Sequence, residues 1–223
     1  MVDFHTHILP GMDDGSKYVR HSLMMLRMER EMGVDTVVLT PHFYASQNDP
    51  ATFLERRSRA WERLINRLDD AAPHLLLGAE VQFFDHMDAA EHIDSLCIEN
   101  TGVLLLEMPF RPWDERIIRT VLELNAREGL QVVFAHIERY GSFCPSEETW
   151  EQLRENGILM QVNCSFFAGF FGRRRAMKMM ERGRFQLIGS DCHNLDTRPP
   201  NWNLVPPKAA QIAGAFAEKL LNV

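Results

Sequence analysis

Val103-Leu-Leu-Leu-Glu107-Met108 is a short apolar run that closes on a carboxylate. Such a run reads as a strand buried on both faces, the pattern of a parallel sheet covered by helices. A lone carboxylate in that setting costs several kcal/mol unless it is paired or holds a cation. The same pattern recurs along the chain. Met1–His7 carries His5 and His7, at i and i+2 on one face. Thr36–Thr40 is followed by His42, Leu75–Val81 has Glu80 near its end, and Val132–His136 ends on histidine. Gln186–Ser190 is followed by Asp191 and His193, again at i and i+2, and Ile158–Asn163 completes a set of seven strands.

Helical periods alternate with these runs. They span Tyr18–Met32, stopped by Gly33, then Pro50–Ala72, a short piece at Met87–Leu96, Asp114–Glu128, Ser146–Asn156 with Ser146 at its start, Arg174–Arg182, stopped by Gly183, and Pro207–Leu221. Seven β-α units predict an α/β fold with a parallel sheet, economically arranged as a closed or nearly closed barrel. Its C-terminal strand ends share one rim, where such folds build active sites. Arg198-Pro-Pro200 to Pro206-Pro207 reads as a loop.

The chain has 223 residues, predicting a single domain over 1–223. With 45% hydrophobic residues it needs no disulfide staple. A net charge of −7 argues against nucleic-acid binding. No apolar run approaches membrane-spanning length, so no membrane insertion is expected. The start of the chain lacks the pattern of a signal peptide. Cys97, Cys144, Cys164 and Cys192 show no C-x-x-C spacing and read as reduced thiols, which predicts a cytoplasmic protein.

A single strand-end histidine is usually a packed core residue. What changes the reading is convergence, because strand after strand puts polar groups at the same end. Asp13-Asp14 before Gly15 reads either as a turn or as a source of one more oxygen ligand. Imidazole and carboxylate without thiolate suit manganese, iron or zinc in a catalytic setting. Five histidines and four carboxylates are too many for one ion and suit two or three. Three divalent ions against four carboxylates leave a charge of about +2, suited to a phosphate dianion. His21, His74, His86 and His92 fall on helices or loops and read as surface or packing residues. Arg173-Arg174-Arg175 reads as a solvated helix start, with partner docking as the alternative.

Three blocks carry a resemblance. They are His5-Thr-His7-Ile-Leu-Pro-Gly-Met-Asp-Asp-Gly15, Ala135-His136-Ile-Glu-Arg139-Tyr140, and Gly189-Ser-Asp191-Cys-His193-Asn-Leu-Asp196-Thr-Arg198-Pro-Pro200. The chain resembles the polymerase-and-histidinol-phosphatase (PHP) family, and within it the bacterial tyrosine phosphatases of capsule and exopolysaccharide loci, the CpsB/CapC/YwqE type. The resemblance implies a distorted (β/α)7 barrel with a trinuclear metal centre. His5, His7, Glu80 and Asp191 would hold one metal, Glu80, Glu107 and His136 a second, and Asp14, His42 and His193 a third. The family's aspartate next to glycine favours Asp14 over Asp13. Arg139 and Arg198 match arginines that the family sets at the substrate phosphate.

The resemblance further implies a phosphotyrosine phosphatase acting on the tail of a bacterial tyrosine kinase. The nucleophile would be a water acidified between divalent ions, most simply manganese, with iron or zinc as alternatives. Rival readings are a histidinol-phosphate phosphatase or other PHP phosphoesterase, and a non-enzymatic metal-binding regulator. Cys192 and Arg198 also satisfy the Cys-x5-Arg spacing of thiol phosphatases. The intervening residues include no glycine and Asp191 precedes the thiol, so that reading is set aside.

Overall fold

A computed structural model describes residues 1–223. Nine parallel strand segments make up the sheet: β1 (Val2–Thr6), β2 (Thr36–Leu39), β3 (His42–Phe43), β4 (His74–Leu77), β5 (Glu80–Gln82), β6 (Val103–Glu107), β7 (Gln131–Phe134), β8 (Leu159–Asn163) and β9 (Leu187–Gly189). They occupy the seven expected positions, because one expected strand breaks and another gains a further segment. β3 follows Thr36–Thr40 beyond Pro41, which has no N–H for the ladder. Leu75–Val81 divides at Gly78-Ala79. Pairing runs β1-β2-β4 below the break and β3-β5-β6-β7-β8-β9 above it.

The curled sheet returns on itself at β9 and β1. Asp191 N donates to His5 O at 2.8 Å, and His7 N donates to Cys192 O at 2.9 Å. Gly189 is required here, since a Cβ on it would lie 2.6 Å from the Cβ of His5.

Six helices flank the strands: α1 (Val19–Glu31), α2 (Pro50–Ile65), α3 (Glu115–Asn125), α4 (Glu147–Glu155), α5 (Gly169–Glu181) and α6 (Pro207–Leu221). α2 stops seven residues short of the expected Ala72. Instead, the Asn66 side chain donates to Glu62 O and the chain turns. Met87–Leu96 is not one helix but two 3-10 turns, because His86 and His92 hold left-handed φ angles of 63° and 65° before each. α5 starts five residues earlier than expected. Asp114 and Ser146 cap α3 and α4, accepting from Ile117 N at 2.9 Å and Thr149 N at 3.2 Å. No helix is long and apolar enough to cross a membrane.

Two apolar clusters form the core. The larger lies between strands and helices and includes Leu104, Leu106, Ile117 and Val121. The smaller gathers Phe4, Val38, Leu76, Leu105, Val133 and Leu187, one from each of six strands around the ring, so it fills the barrel interior. Side chains alternate along a strand, so the inward rows can be followed upward. Val103 and Leu105 lead to Glu107, Leu76 to Glu80, Val38 to His42, and Leu187 to Asp191. These four inward rows start in oil and end on a metal-binding type of side chain.

Candidate metal centre

Those row ends meet above the interior cluster. In β1 a register shift between Asp3 and Thr6 turns His5 and His7 into the same space. His5 Nε2 and His7 Nε2 lie 3.0 Å apart, and each is 3.2 Å from Glu80 Oε2. Asp191 Oδ1 is 3.7 Å from the first and 3.5 Å from the second. His136 Nε2 sits 2.9 Å from Glu80 Oε1 and 3.6 Å from Glu107 Oε1. On the other side Asp14 Oδ1 is 3.7 Å from His42 Nε2 and 3.5 Å from His193 Nε2. Seven of the nine residues singled out in the sequence thus fall in three overlapping donor groups, and His136 and Asp191 adjoin them through Glu80 and the His5–His7 pair. All are buried or half-buried except Asp14, whose side chain is 68% exposed at the mouth.

The outer bonds settle where the imidazole lone pairs point. His7 Nδ1 faces Asp13 Oδ2 at 2.7 Å, and His193 Nδ1 faces the carbonyl of Asp191 at 2.9 Å. Both partners only accept, so both Nδ1 atoms carry the proton. Gln161 Oε1 accepts from His136 N at 2.7 Å and lies 3.4 Å from His5 Nδ1, which assigns His5 the same tautomer. The Nε2 atoms of all three rings are thereby aimed into the cluster, and those of His5 and His7 face each other at 3.0 Å. A shared proton or a cation must stand between them. His193 Nε2 is buried without a hydrogen-bond partner, and His42 Nδ1 and Glu80 Oε2, 2.9 Å apart, do not align into a hydrogen bond. The donor set therefore fits divalent cations, with the outer partners orienting each ligand.

The electrostatics also call for positive charge. Burial opposes a charge on His7, but Asp13 and Glu80 outweigh it and raise its pKa to about 10. Burial likewise opposes ionisation of Glu80, yet the surrounding histidines hold its carboxyl well below the usual range. Glu107 is pushed up by burial and by Glu80. Burial, followed by the neighbouring His7 charge, lowers His193 to about 4. A cation would supply the charge that His7 otherwise takes up as a proton.

Arg139 and Arg198 stand at the rim, with side chains 38% and 37% exposed. Both reach Asp191 Oδ2, at 2.5 and 2.6 Å. Asn163 Nδ2 donates to the same oxygen at 2.8 Å, leaving Oδ1 for the metal side. His136 and Asp191 have left-handed backbones, φ 32° and 53°, a strain typical of functional positions. Gly15 lets the Asp13-Asp14 turn fold over β1, since a Cβ there would sit 2.2 Å from the carbonyl of His7.

Residues 1–214 match the family model for capsular polysaccharide synthesis proteins of the CpsB/CapC type. The chain belongs to the CpsB/CapC family. It is 31% identical to the tyrosine-protein phosphatase CpsB of Streptococcus pneumoniae, over 100% of this chain and 95% of that one. It is 30% identical to the tyrosine-protein phosphatase YwqE of Bacillus subtilis strain 168, over 89% of this chain and 79% of that one. Its fold superposes, with a TM-score of 0.80 and 24% identity, on a chain from the crystal structures of YwqE and CpsB, described as unique metal-dependent tyrosine phosphatases. The match covers 100% of this chain and 94% of that one.

Within this CpsB/CapC barrel, several site residues escaped the sequence reading. Gln161 and Asn163 stand at i and i+2 on β8, the same signal that marked His5 and His7. Asp13, weighed in the sequence as a turn residue or an oxygen ligand, instead orients the His7 ring. Tyr44 stacks on His42, with ring centroids 5.1 Å apart, and Phe110 stacks on His136 at 6.1 Å. Both aromatics lie on loops and carry no pattern that would announce them. Cys192 is fully buried with its Sγ 3.8 Å from Glu29 Oε1, and burial with the Glu29 and Asp3 carboxylates pushes the thiol pKa well up. Its geometry removes it as a nucleophile.

Proposed function

We propose that this chain is a metal-dependent protein tyrosine phosphatase of capsule or exopolysaccharide synthesis. In this reading it works in the cytoplasm on the phosphotyrosine-bearing tail of a bacterial tyrosine kinase. The observation that carries the reading is the facing pair of Nε2 atoms, His5 and His7, 3.0 Å apart over Glu80 Oε2. Family membership and the printed activities of its relatives support the phosphotyrosine substrate.

His5, His7, Glu80 and Asp191 would hold one ion, Glu80, Glu107 and His136 a second, and Asp14, His42 and His193 a third. Hard and borderline donors suit manganese first, with iron or zinc as alternatives. Bound there, the ions would supply Lewis-acid charge and acidify a water near neutral pH. The protein's own groups do the rest. Arg139 and Arg198 turn their forks from Asp191 to the phosphate oxygens and hold phosphorus in line for attack. Asn163 stays on Asp191 and keeps its other oxygen on the metal side. Phe110 and Tyr44 give the phenyl ring an apolar approach to the cluster. A phenol with pKa about 10 leaves without a strong acid, and none is assigned. The test is metal analysis coupled to turnover of a phosphotyrosine peptide and of histidinol phosphate. Preference for the peptide supports the reading, and preference for histidinol phosphate overturns it.

A further inference from the structure

The turn Ile137–Arg139 has two sides. His136 and Arg139 belong to the metal cluster, whereas Ile137 and Glu138 line a separate cavity of about 400 Å³. Five cations line it, Arg154, Arg175, Lys178, Arg182 and Arg184, against two carboxylates, Glu138 and Glu147. The local balance of +3 (five minus two) stands out in a chain of net charge −7. Glu147 is already occupied by Arg184 and, at 3.6 Å, by Arg154.

Arg175, Lys178 and Arg182 pair with no carboxylate, and all three are exposed. Their spacing of three and four residues sets them in one row along α5 and its C-cap. Arg175 lies over the ring of Phe166, 4.7 Å from its centroid, which adds an aromatic wall to the charged one. A concave, cationic, part-aromatic site fits an anionic side chain on a peptide.

We infer that this cavity is a second substrate site. It takes a carboxylate or phosphate group from the same peptide whose phosphotyrosine enters the metal cluster. The inference rests on the phosphatase reading above and extends it to the flanking sequence. Only one turn separates the sites, so a short extended stretch of peptide bridges them. Two-point attachment lowers KM for acidic flanks and leaves the chemical step alone.

The experiment compares the metal-loaded wild type with the Lys178→Glu/Arg182→Glu double variant. Four substrates are used: a small aryl phosphate, and phosphotyrosine peptides with neutral flanks, Asp/Glu flanks or a second phosphotyrosine. Wild type is expected to show a KM about tenfold lower for one or both anionic peptides than for the neutral one. The double variant should erase that difference, with kcat and aryl phosphate turnover unchanged. Comparing the two anionic peptides tells which source of charge the cavity prefers. Equal KM values in the wild type, or a difference that survives in the double variant, overturn the inference.

If no phosphotyrosine substrate turns over, the phosphatase reading has failed separately. Anisotropy of a labelled, unphosphorylated acidic peptide then decides the cavity alone: binding weakened by the double variant supports it, and unchanged or absent binding removes it. Exposed Phe170 and Phe171 beside Arg173–Arg175 provide the contrasting case. If the wild type sediments with phosphatidylserine vesicles, the variant does not, and the peptides are handled alike, this is a membrane-facing surface and the inference falls.

Discussion

Asp13 Oδ2 accepts the Nδ1 proton of His7 at 2.7 Å, and the same oxygen accepts His42 N at 2.9 Å. Asp13 is thus committed to orienting a ligand, while its neighbour Asp14 turns its carboxylate toward His42 and His193. The two adjacent aspartates have separate tasks. Asp13→Ala should free the His7 ring and weaken metal binding by about 10–100-fold. Titration calorimetry with Mn²⁺ on the metal-stripped protein reads this directly. An unchanged affinity would mean that the His7 ring is held by packing alone.

The buried thiol gives a sharp contrast. Cys192→Ser should keep most phosphatase activity, because Sγ faces Glu29 behind the strand ends. His136→Ala removes a donor shared by Glu80 and Glu107 and should lose nearly all activity. A dead Cys192→Ser protein that still binds its metals would favour a thiol mechanism.

In the proposed reading, Arg139 and Arg198 bind substrate and not metal. Each would supply charge-assisted bonds worth roughly 1.5–3 kcal/mol. Replacing either by Ala should cut kcat/KM toward phosphotyrosine by about tenfold to a hundredfold or more, with metal content unchanged. Both contact Asp191 when no phosphate competes, so some loss of melting temperature is expected as well. Loss of stability with unaltered kinetics would reduce both to structural partners.

Glu29 makes a pH prediction away from the metals. Burial first, then the Asp3 carboxylate, pushes its carboxyl well above its ordinary 4.5, and its Oε2 has no partner. The folded state therefore holds a proton that the unfolded chain releases above about pH 4.5. Stability from this group is complete below that pH and is lost as pH rises through the folded value. Glu29→Gln should flatten the decline of melting temperature from about pH 5 to 8 and leave the variant at least as stable as wild type at the upper end. An unchanged slope would show that Glu29 ionises freely in the folded protein.

The site was more legible in the sequence than the strands that carry it. Period-two burial puts Glu107, Glu80, His42 and Asp191 at the top of apolar rows, so their convergence follows from pattern alone. Gln161 and Asn163 carried the same signal, masked because amides are ordinary strand-end residues. The break at Gly78 was not legible, since Leu75–Val81 still reads as one apolar run, and the two-residue β3 beyond Pro41 is too short to announce itself. The expected helix over Pro50–Ala72 failed beyond Ile65, because Leu68 continues the helical spacing yet packs on the core from a turn. Nor does spacing tell that Arg139 and Arg198 share Asp191, since two loops must fold before they meet.

Metal dependence is the central claim, and turnover of a phosphotyrosine peptide before and after chelation tests it most directly. In the proposed reading, the nine His and carboxylate side chains, with buried donor atoms left unpartnered among them, work only with cations bound. The stripped protein should remain folded by circular dichroism, lose essentially all turnover, and recover it when Mn²⁺ is restored in proportion to measured metal content. Full turnover by a protein shown to contain no metal would contradict the account.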